Sequence, residues 1–279
     1  CDQGKVVVEP TGQRKYLAPY KLVSTMRASV CVLGPLIGKL KQAEVSFPGG
    51  CIIGPRPIDL HLKGIGSLGV ELKIKKGYIC AKADKLRGSK VYLGGHFGSS
   101  VLATANTMMA AVMANGRTVI ENSACEPEVW DLAEFLIKMG AKIKGHGTPT
   151  IEITGVKRLG GADHTVIPDR IETGTYMVAA AITDGDVIIK NCRIEHLSAV
   201  VDKLEEAGVS ITGLKGGIRV RRKKNLAPVD VTTLPYPGFP TDMQAQMMAM
   251  MTVTKGISVI TEKIYPERFM HIGELNRMG

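Results

Sequence analysis

Apolar positions recur at helical spacing over about residues 24–36, 58–68, 103–114, 126–139, 172–182, 196–206 and 241–251, and again from about 267. Between them lie short runs of strand character, at about 43–47, 70–75, 78–81, 118–121, 186–190 and 257–262. The Asn115-Gly116, Asp184-Gly185 and Lys255-Gly256 pairs each divide a helix from a strand, as turn residues do. The order helix, turn, strand, helix therefore returns along the chain. Its closing glycines, Gly69, Gly140, Gly208 and Gly279, are spaced by 71, 68 and 71 residues. A repeat of this kind predicts one supersecondary unit used several times, with amphipathic helices burying their apolar faces against sheets in an α/β core. The opening Lys5–Val8 run reads as a strand that finishes an earlier unit, and the last unit stops before its final strands. On this pattern the chain is expected to be part of a longer protein. A boundary near residue 167 is expected, giving domains 1–167 and 168–279 with a cleft between them.

Composition narrows the class. Five Phe, seven Tyr and one Trp in 279 residues leave the core to aliphatic and methionine side chains. The methionines clustered at 108–113 and 247–251 accordingly read as adaptable packing, and Trp130 as core or interdomain packing. No apolar run reaches the ~18 residues of a membrane span, and the first residues given do not show the basic segment plus hydrophobic run of a secretion signal. Six widely spaced cysteines, without a close pair, favour reduced thiols and a cytoplasmic protein. The six histidines form no metal motif and have no evident catalytic partner, so no metal is expected. The net charge of +10 admits a polyanionic partner. Its densest stretch, Arg219–Lys224, follows a Gly-Gly turn and reads equally as the solvated end of a hairpin. Without interleaved aromatics or a recognition helix it makes a poor nucleic-acid surface, so a small anionic metabolite is the better expectation.

Candidate chemistry concentrates in four places. The stretch from Phe47 to His61 sets Cys51 after a glycine pair and Arg56 between two prolines. The thiol could serve as nucleophile or acid and the guanidinium could hold a carboxylate or phosphate; an ordinary loop is the alternative. Cys51 is expected to be more accessible than the other internal cysteines. Arg27 begins an apolar helical stretch, where it and free backbone N–H groups could meet an anion, or where it could simply be exposed. Gly98, Ser99, Ser100 and Val101 precede a long helix and could cradle a phosphate or sugar, although helix capping alone would explain the serines. Asp242, after Pro240 and Thr241, could accept a proton from a substrate hydroxyl or stabilise a helix N-terminus.

The segments PGGCIIGPRPIDLH, TMRASVCVLGPL, IPDRIETGTYMVAAA, PYPGFPTDMQAQ and ERFMHIGELNRMG together resemble the enolpyruvyl transferase family, specifically its UDP-N-acetylglucosamine 1-carboxyvinyltransferase branch. The resemblance runs over essentially the whole chain, which corresponds to the middle of such an enzyme. It implies two domains of the inside-out α/β barrel type, built from repeated helix-sheet units. It also implies enolpyruvyl transfer from phosphoenolpyruvate to the 3-hydroxyl of UDP-N-acetylglucosamine, with phosphate release, in peptidoglycan precursor synthesis. No cofactor, nucleic acid or membrane partner is implied. Cys51 would bond the phosphoenolpyruvate carbon, act in proton transfer and be the target of fosfomycin. Arg56 would bind phosphate. Arg27, the segment Arg56, Pro57, Ile58, Asp59 and Leu60, then Thr241, Asp242 and Ile264 would hold the nucleotide sugar, with Asp242 as base. Gly98–Val101 is the nearest match to a Lys-Val-Ser-Val-Gly segment, with an apparent insertion. A Lys-Asn pair and an arginine-bearing segment of the family lie outside these residues, so the isolated 279-residue chain is expected to show little turnover. A shikimate-directed relative shares the architecture but uses no equivalent thiol, and an anion-binding module of the same fold is the non-enzymatic alternative.

Overall fold

The computed structural model describes residues 4–9, 12, 15–49, 57–223 and 225–279. The first unit runs β1 (Leu17–Ala18), α1 (Tyr20–Val23), a 3₁₀ turn (Arg27–Val32), α2 (Leu33–Leu40), β2 (Gln42–Ser46), α3 (Asp59–Ser67), β3 (Glu71–Lys75) and β4 (Tyr78–Lys82). The second runs β5 (Lys90–Tyr92), the small hairpin β6 (Gly94–Gly95) and β7 (Gly98–Ser99), α4 (Val101–Ala111), β8 (Arg117–Glu121), α5 (Pro127–Lys138), β9 (Lys142–Lys144) and β10 (Thr150–Thr154). The third has α6 (Arg170–Ile182), β11 (Asp186–Lys190), a 3₁₀ turn (Ile194–Leu197), α7 (Ser198–Glu206), β12 (Val209–Leu214) and β13 (Gly217–Arg222). The fourth has β14 (Val231–Thr232), a 3₁₀ turn (Thr241–Met243), α8 (Gln244–Thr252), β15 (Ile260–Thr261) and α9 (Ile272–Arg277).

The sheets repeat as the sequence does. In the first, β1 lies parallel to β2 and the order is β1-β2-β4-β3; in the second, β5 lies parallel to β8 and the order is β5-β8-β10-β9. The third sheet has the same antiparallel core, β11-β13-β12, and the fourth unit shows the same parallel pairing, β14 with β15. Buried and outward residues alternate along β8 and β10, the period-2 pattern of a half-covered sheet. The four repeat-closing glycines, 69, 140, 208 and 279, all have positive φ, from 83° to 104°. A side chain there would be strained, so the glycine spacing marks the same backbone turn each time.

Two apolar clusters result, one drawn from Val23 to Ile153 and the other from Met177 to Met250. In the first, α4 is buried on most of its surface beneath α2, α3 and α5. In the second, α8 and the 3₁₀ turn before it pack on α6, with Met243, Met247 and Met250 all buried. Met108 is likewise buried, as packing methionines should be. Among the described residues no helix is long and apolar enough to cross a membrane.

Several expectations need correction. Val6, Val7 and Val8 are exposed and belong to no described strand. The first helix is not continuous over 24–36. It opens as a 3₁₀ turn and becomes α-helical at Leu33, because the Gly34 amide is taken by Asn106 Oδ1 of α4 at 2.5 Å. It then continues to Leu40, where Lys41 adopts a left-handed φ of 61° and its N–H caps the Ile37 carbonyl. The strand expected at 257–262 is only β15, and the terminal helix begins at Ile272 rather than near 267. Trp130 is outside both cores: it is 37% exposed, with its ring 6.1 Å from that of His146. Arg219 reaches Asp186 across the β11–β13 pair and Arg222 reaches Asp184. In the described part of the basic run, on and just after β13, Arg219 and Arg222 are thus partnered by carboxylates.

Candidate active site

Helix and turn starts from both halves of the chain face one cleft of about 1300 Å³. Arg27 stands at the first position of its 3₁₀ turn, and Pro57, Asp59 and Leu60 form the entry to α3. Gly98, Ser99, Ser100 and Val101 lead into α4; Thr241 and Asp242 open the 3₁₀ turn before α8, and Ile264 follows β15. All of these line the cleft. Ile58 does not: its side chain is buried in the first core, so only its backbone could meet a ligand there. Cys51 and Arg56 lie outside the described residues.

Local physics explains the placements. Ser100 is a helix cap, its hydroxyl accepting from the Ala103 N–H at 3.3 Å, which leaves Gly98 and Ser99 as the freer part of that segment. Gly98 has φ +96°, a conformation that favours glycine. Asp242 is not a helix cap. Its Oδ1 accepts from Arg268 Nη1 at 2.6 Å, and the same nitrogen donates to Thr241 Oγ1 at 3.0 Å. Thr241 in turn donates to Glu262 Oε2 at 2.9 Å.

The floor of the cleft joins the two cores. Arg170, at the start of α6, is buried and donates from Nε to Glu128 of α5 at 2.9 Å, with its guanidinium 5.5 Å from the Tyr236 ring centre. Asp169 caps α6, accepting from the N–H groups of Ile171 and Glu172 at 2.8 and 3.0 Å. Beside this pair Glu126 has a buried Oε2 with no hydrogen-bond partner, and burial pushes its carboxyl above the usual carboxylate range. The connecting segment is fastened by His164, whose Nε2 lies 2.9 Å from Asp131 Oδ1 on α5. Sequence reasoning does not single out Arg170, Glu128, Glu262 or Arg268. Arg170 and Arg268 do lie in the segments that carry the family resemblance, but their carboxylate partners are 42 and 26 residues away.

His61 lines the cleft yet is 2% exposed. Gly34 N–H fixes Asn106 Oδ1 as an acceptor, so Asn106 Nδ2 faces Val30 O at 3.1 Å and His61 Nδ1 at 3.0 Å. Nδ1 must therefore accept, and the ring proton sits on Nε2. Burial, reinforced by the Arg27 charge, lowers its pKa to about 4. The folded protein thus refuses a proton that the unfolded chain takes up below about pH 6.5. The neutral ring's contribution is present above that pH and is lost as pH falls toward 4, a change of roughly 3 kcal/mol at most. Urea unfolding at pH 7.5 and 4.5 should show a smaller loss for His61→Gln than for wild type; equal losses would contradict the assignment. Cys31, in contrast to an activated thiol, is pushed up to about 11 by burial despite Arg27 nearby, so its thiolate is disfavoured.

A pair of cores made from the same repeated helix-and-sheet elements, meeting over a cleft lined by turn and helix starts, defines the class of repeated α/β folds to which the sequence segments pointed. A family model described as EPSP synthase (3-phosphoshikimate 1-carboxyvinyltransferase) matches residues 1–279, and the chain belongs to that family. It is 60% identical over 278 residues to UDP-N-acetylglucosamine 1-carboxyvinyltransferase 1 of Caldanaerobacter subterraneus subsp. tengcongensis, covering 100% of this chain and 66% of the relative. It is 54% identical over 262 residues to UDP-N-acetylglucosamine 1-carboxyvinyltransferase of Methylacidiphilum infernorum, covering 94% and 62%. The chain thus spans about two thirds of the length of these curated relatives. Among solved structures, the enolpyruvyl transferase NikO from Streptomyces tendae superposes with a TM-score of 0.83 at 22% identity, over 95% of this chain and 63% of that one. An EPSP synthase from Acinetobacter baumannii gives 0.59 at 19%, over 85% and 56%. These likenesses establish the two-domain fold of repeated helix-sheet units.

Proposed function

We propose that the protein carrying this chain transfers the enolpyruvyl group of phosphoenolpyruvate to the 3-hydroxyl of UDP-N-acetylglucosamine, releasing phosphate, in the cytoplasm. The observation that carries this reading is the convergence of Arg27, Pro57, Asp59, Leu60, residues 98–101, Thr241, Asp242 and Ile264 on one cleft. Identity of 60% to a relative bearing that activity's name supports it. The domain boundary belongs at 167/168, where the first apolar cluster has ended and α6 is about to begin the second.

In this reading the Asp242 carboxylate takes the proton of the sugar hydroxyl as its oxygen attacks C2 of phosphoenolpyruvate, while C3 gains a proton. Cys51 gives C3 that proton as a thiol and takes one back as a thiolate, which expels phosphate and restores the double bond. Cys51 supplies the thiol that can bond C2 and move protons, and Arg56 neutralises the phosphate. Arg27 and the turn at 57–60 hold the nucleotide sugar, with Gly98 and Ser99 at the diphosphate side. A closed cleft strengthens each of these charge contacts, because water no longer competes for them.

The family model's own description names 3-phosphoshikimate, which sets the alternative acceptor. Phosphate release by the purified protein should require phosphoenolpyruvate together with UDP-N-acetylglucosamine. Release supported as well by 3-phosphoshikimate, and not by the sugar nucleotide, would overturn the assignment.

A further inference from the structure

Two walls of the cleft that are distant in sequence are tied through one buried carboxylate. Glu262, at the end of β15, is 9% exposed. Its Oε1 accepts from Thr233 Oγ1 at 2.7 Å, from the Ile264 N–H at 2.7 Å and from the Tyr265 N–H at 2.9 Å. Its Oε2 accepts from Thr241 Oγ1 at 2.9 Å. An ionised carboxylate is acceptor-only, so every one of these bonds has a fixed direction. The Thr241 hydroxyl must spend its proton on Glu262, and it therefore presents a lone pair to Arg268 Nη1. That nitrogen is held between Thr241 Oγ1 at 3.0 Å and Asp242 Oδ1 at 2.6 Å. The Gln244 amide adds to the anchoring, donating to the Arg268 carbonyl at 3.2 Å, and the Arg268 N–H donates to the Tyr265 carbonyl at 2.8 Å.

We propose that Glu262 is a positioning residue for the transfer reaction: it fixes the Ile264 wall against the Thr241-Asp242 wall and sets the direction of the hydrogen bonds that run through Thr241 and Arg268 to Asp242. The proposal rests on the activity read above, in which Asp242 meets the sugar hydroxyl. Glu262 itself touches neither substrate nor reacting atoms. Its influence is on where the Asp242 carboxylate and its cation stand when the substrates arrive, and small misplacements of reacting groups are costly.

Glu262→Gln separates these roles. Three donors converge on Oε1, so the amide oxygen stays there and the NH₂ group turns to Thr241. Thr241 Oγ1 then faces two donors, the amide and Arg268, and its own proton loses the carboxylate. We expect kcat to fall about 100-fold with the nucleotide-sugar dissociation constant little changed. Thr241→Val should fall similarly, Thr241→Ser should restore most activity, and the Glu262→Gln/Thr241→Val double variant should be no worse than either single one, because both cut the same relay. Thr233→Val removes a bond to the other oxygen and the acceptor of the Lys263 N–H, neither of which lies on the path through Thr241 and Arg268 to Asp242. It should lower the melting temperature yet leave kcat near wild type. Folded Glu262→Gln protein with wild-type kcat, or kcat losses that simply add in the double variant, would overturn the proposal. A wild-type protein inactive on these substrates would instead sink the activity reading alone. The relay would then be decided by the crystal structure of Glu262→Gln, where displacement of Arg268 from Thr241 supports it and an unchanged Thr241–Arg268–Asp242 arrangement overturns it.

Discussion

Asp242→Asn is expected to cost turnover roughly 1000-fold, within the range that a positioned general base supplies, while nucleotide-sugar binding survives. The substitution keeps the size of the side chain and its place at the start of the 3₁₀ turn (Thr241–Met243), but removes the anion that would take the hydroxyl proton. The amide oxygen of the substituted side chain can still accept from Arg268, so the local fold has little reason to change. Arg27, Pro57, Asp59, Leu60 and Ile264 line other parts of the cleft and are untouched. Ground-state binding and the reacting geometry are separable in this way, and a residue acting only in the second leaves dissociation constants nearly unchanged. The competing role for Asp242 is as a surface counter-ion of Arg268. The pair's carboxylate side is 54% exposed, and such ion pairs contribute little to stability. Loss of a mere counter-ion would therefore alter neither turnover nor melting temperature greatly. Calorimetry with UDP-N-acetylglucosamine and phosphate-release kinetics on the same preparations would separate these roles. Near-normal turnover of Asp242→Asn would remove Asp242 from the reaction.

The parts of this molecule that are legible in its sequence are those written by local chemistry. Gly69, Gly140, Gly208 and Gly279 announce the repeat because a positive φ demands glycine at the same point of each unit. Thr241 and Asp242 are legible because Pro240 breaks the preceding chain just ahead of a helical pattern. Residues 57–60 and 98–101 likewise sit at helix starts. What escapes is written by long-range pairing. Nothing near Glu262 in sequence says that its carboxylate will gather Thr233 and Thr241, 29 and 21 residues away. The helix expected over 24–36 fails for the same reason: an acceptor on α4, 72 residues distant, claims the Gly34 amide. Trp130 misleads through composition. A lone tryptophan in an aromatic-poor chain invites a core assignment, but α5 turns Val129 and Ala133 inward and leaves the indole against His146.

Gly34→Ala should be among the most destabilising single-methyl changes in the chain. A Cβ built on Gly34 would lie 2.3 Å from the backbone oxygen of Asn106 and 2.5 Å from its side-chain oxygen. A flexible side-chain tip could rotate away, but a helical carbonyl can retreat only if α4 moves as a whole. α4 is enclosed by α2, α3 and α5, and on the α3 side Gly64 meets Thr107 just as closely, so there is no slack in the opposite direction. The same displacement would break the Gly34–Asn106 bond and release the amide that holds His61 and the Val30 carbonyl. Overpacking of a tight core costs about 1–3 kcal/mol, and the buried polar groups left unpaired add about 1–3 kcal/mol more. We expect a loss of about 3 kcal/mol or more, read as a lower urea midpoint at an unchanged slope. Gly213→Ala is the control: it sits on an exposed part of β12 with nothing within 4 Å of its added carbon. Its effect should be near zero or slightly stabilising. Equal midpoints for the two variants would mean that α2 and α4 can separate freely, and that the contact between them does not hold the cleft wall in place.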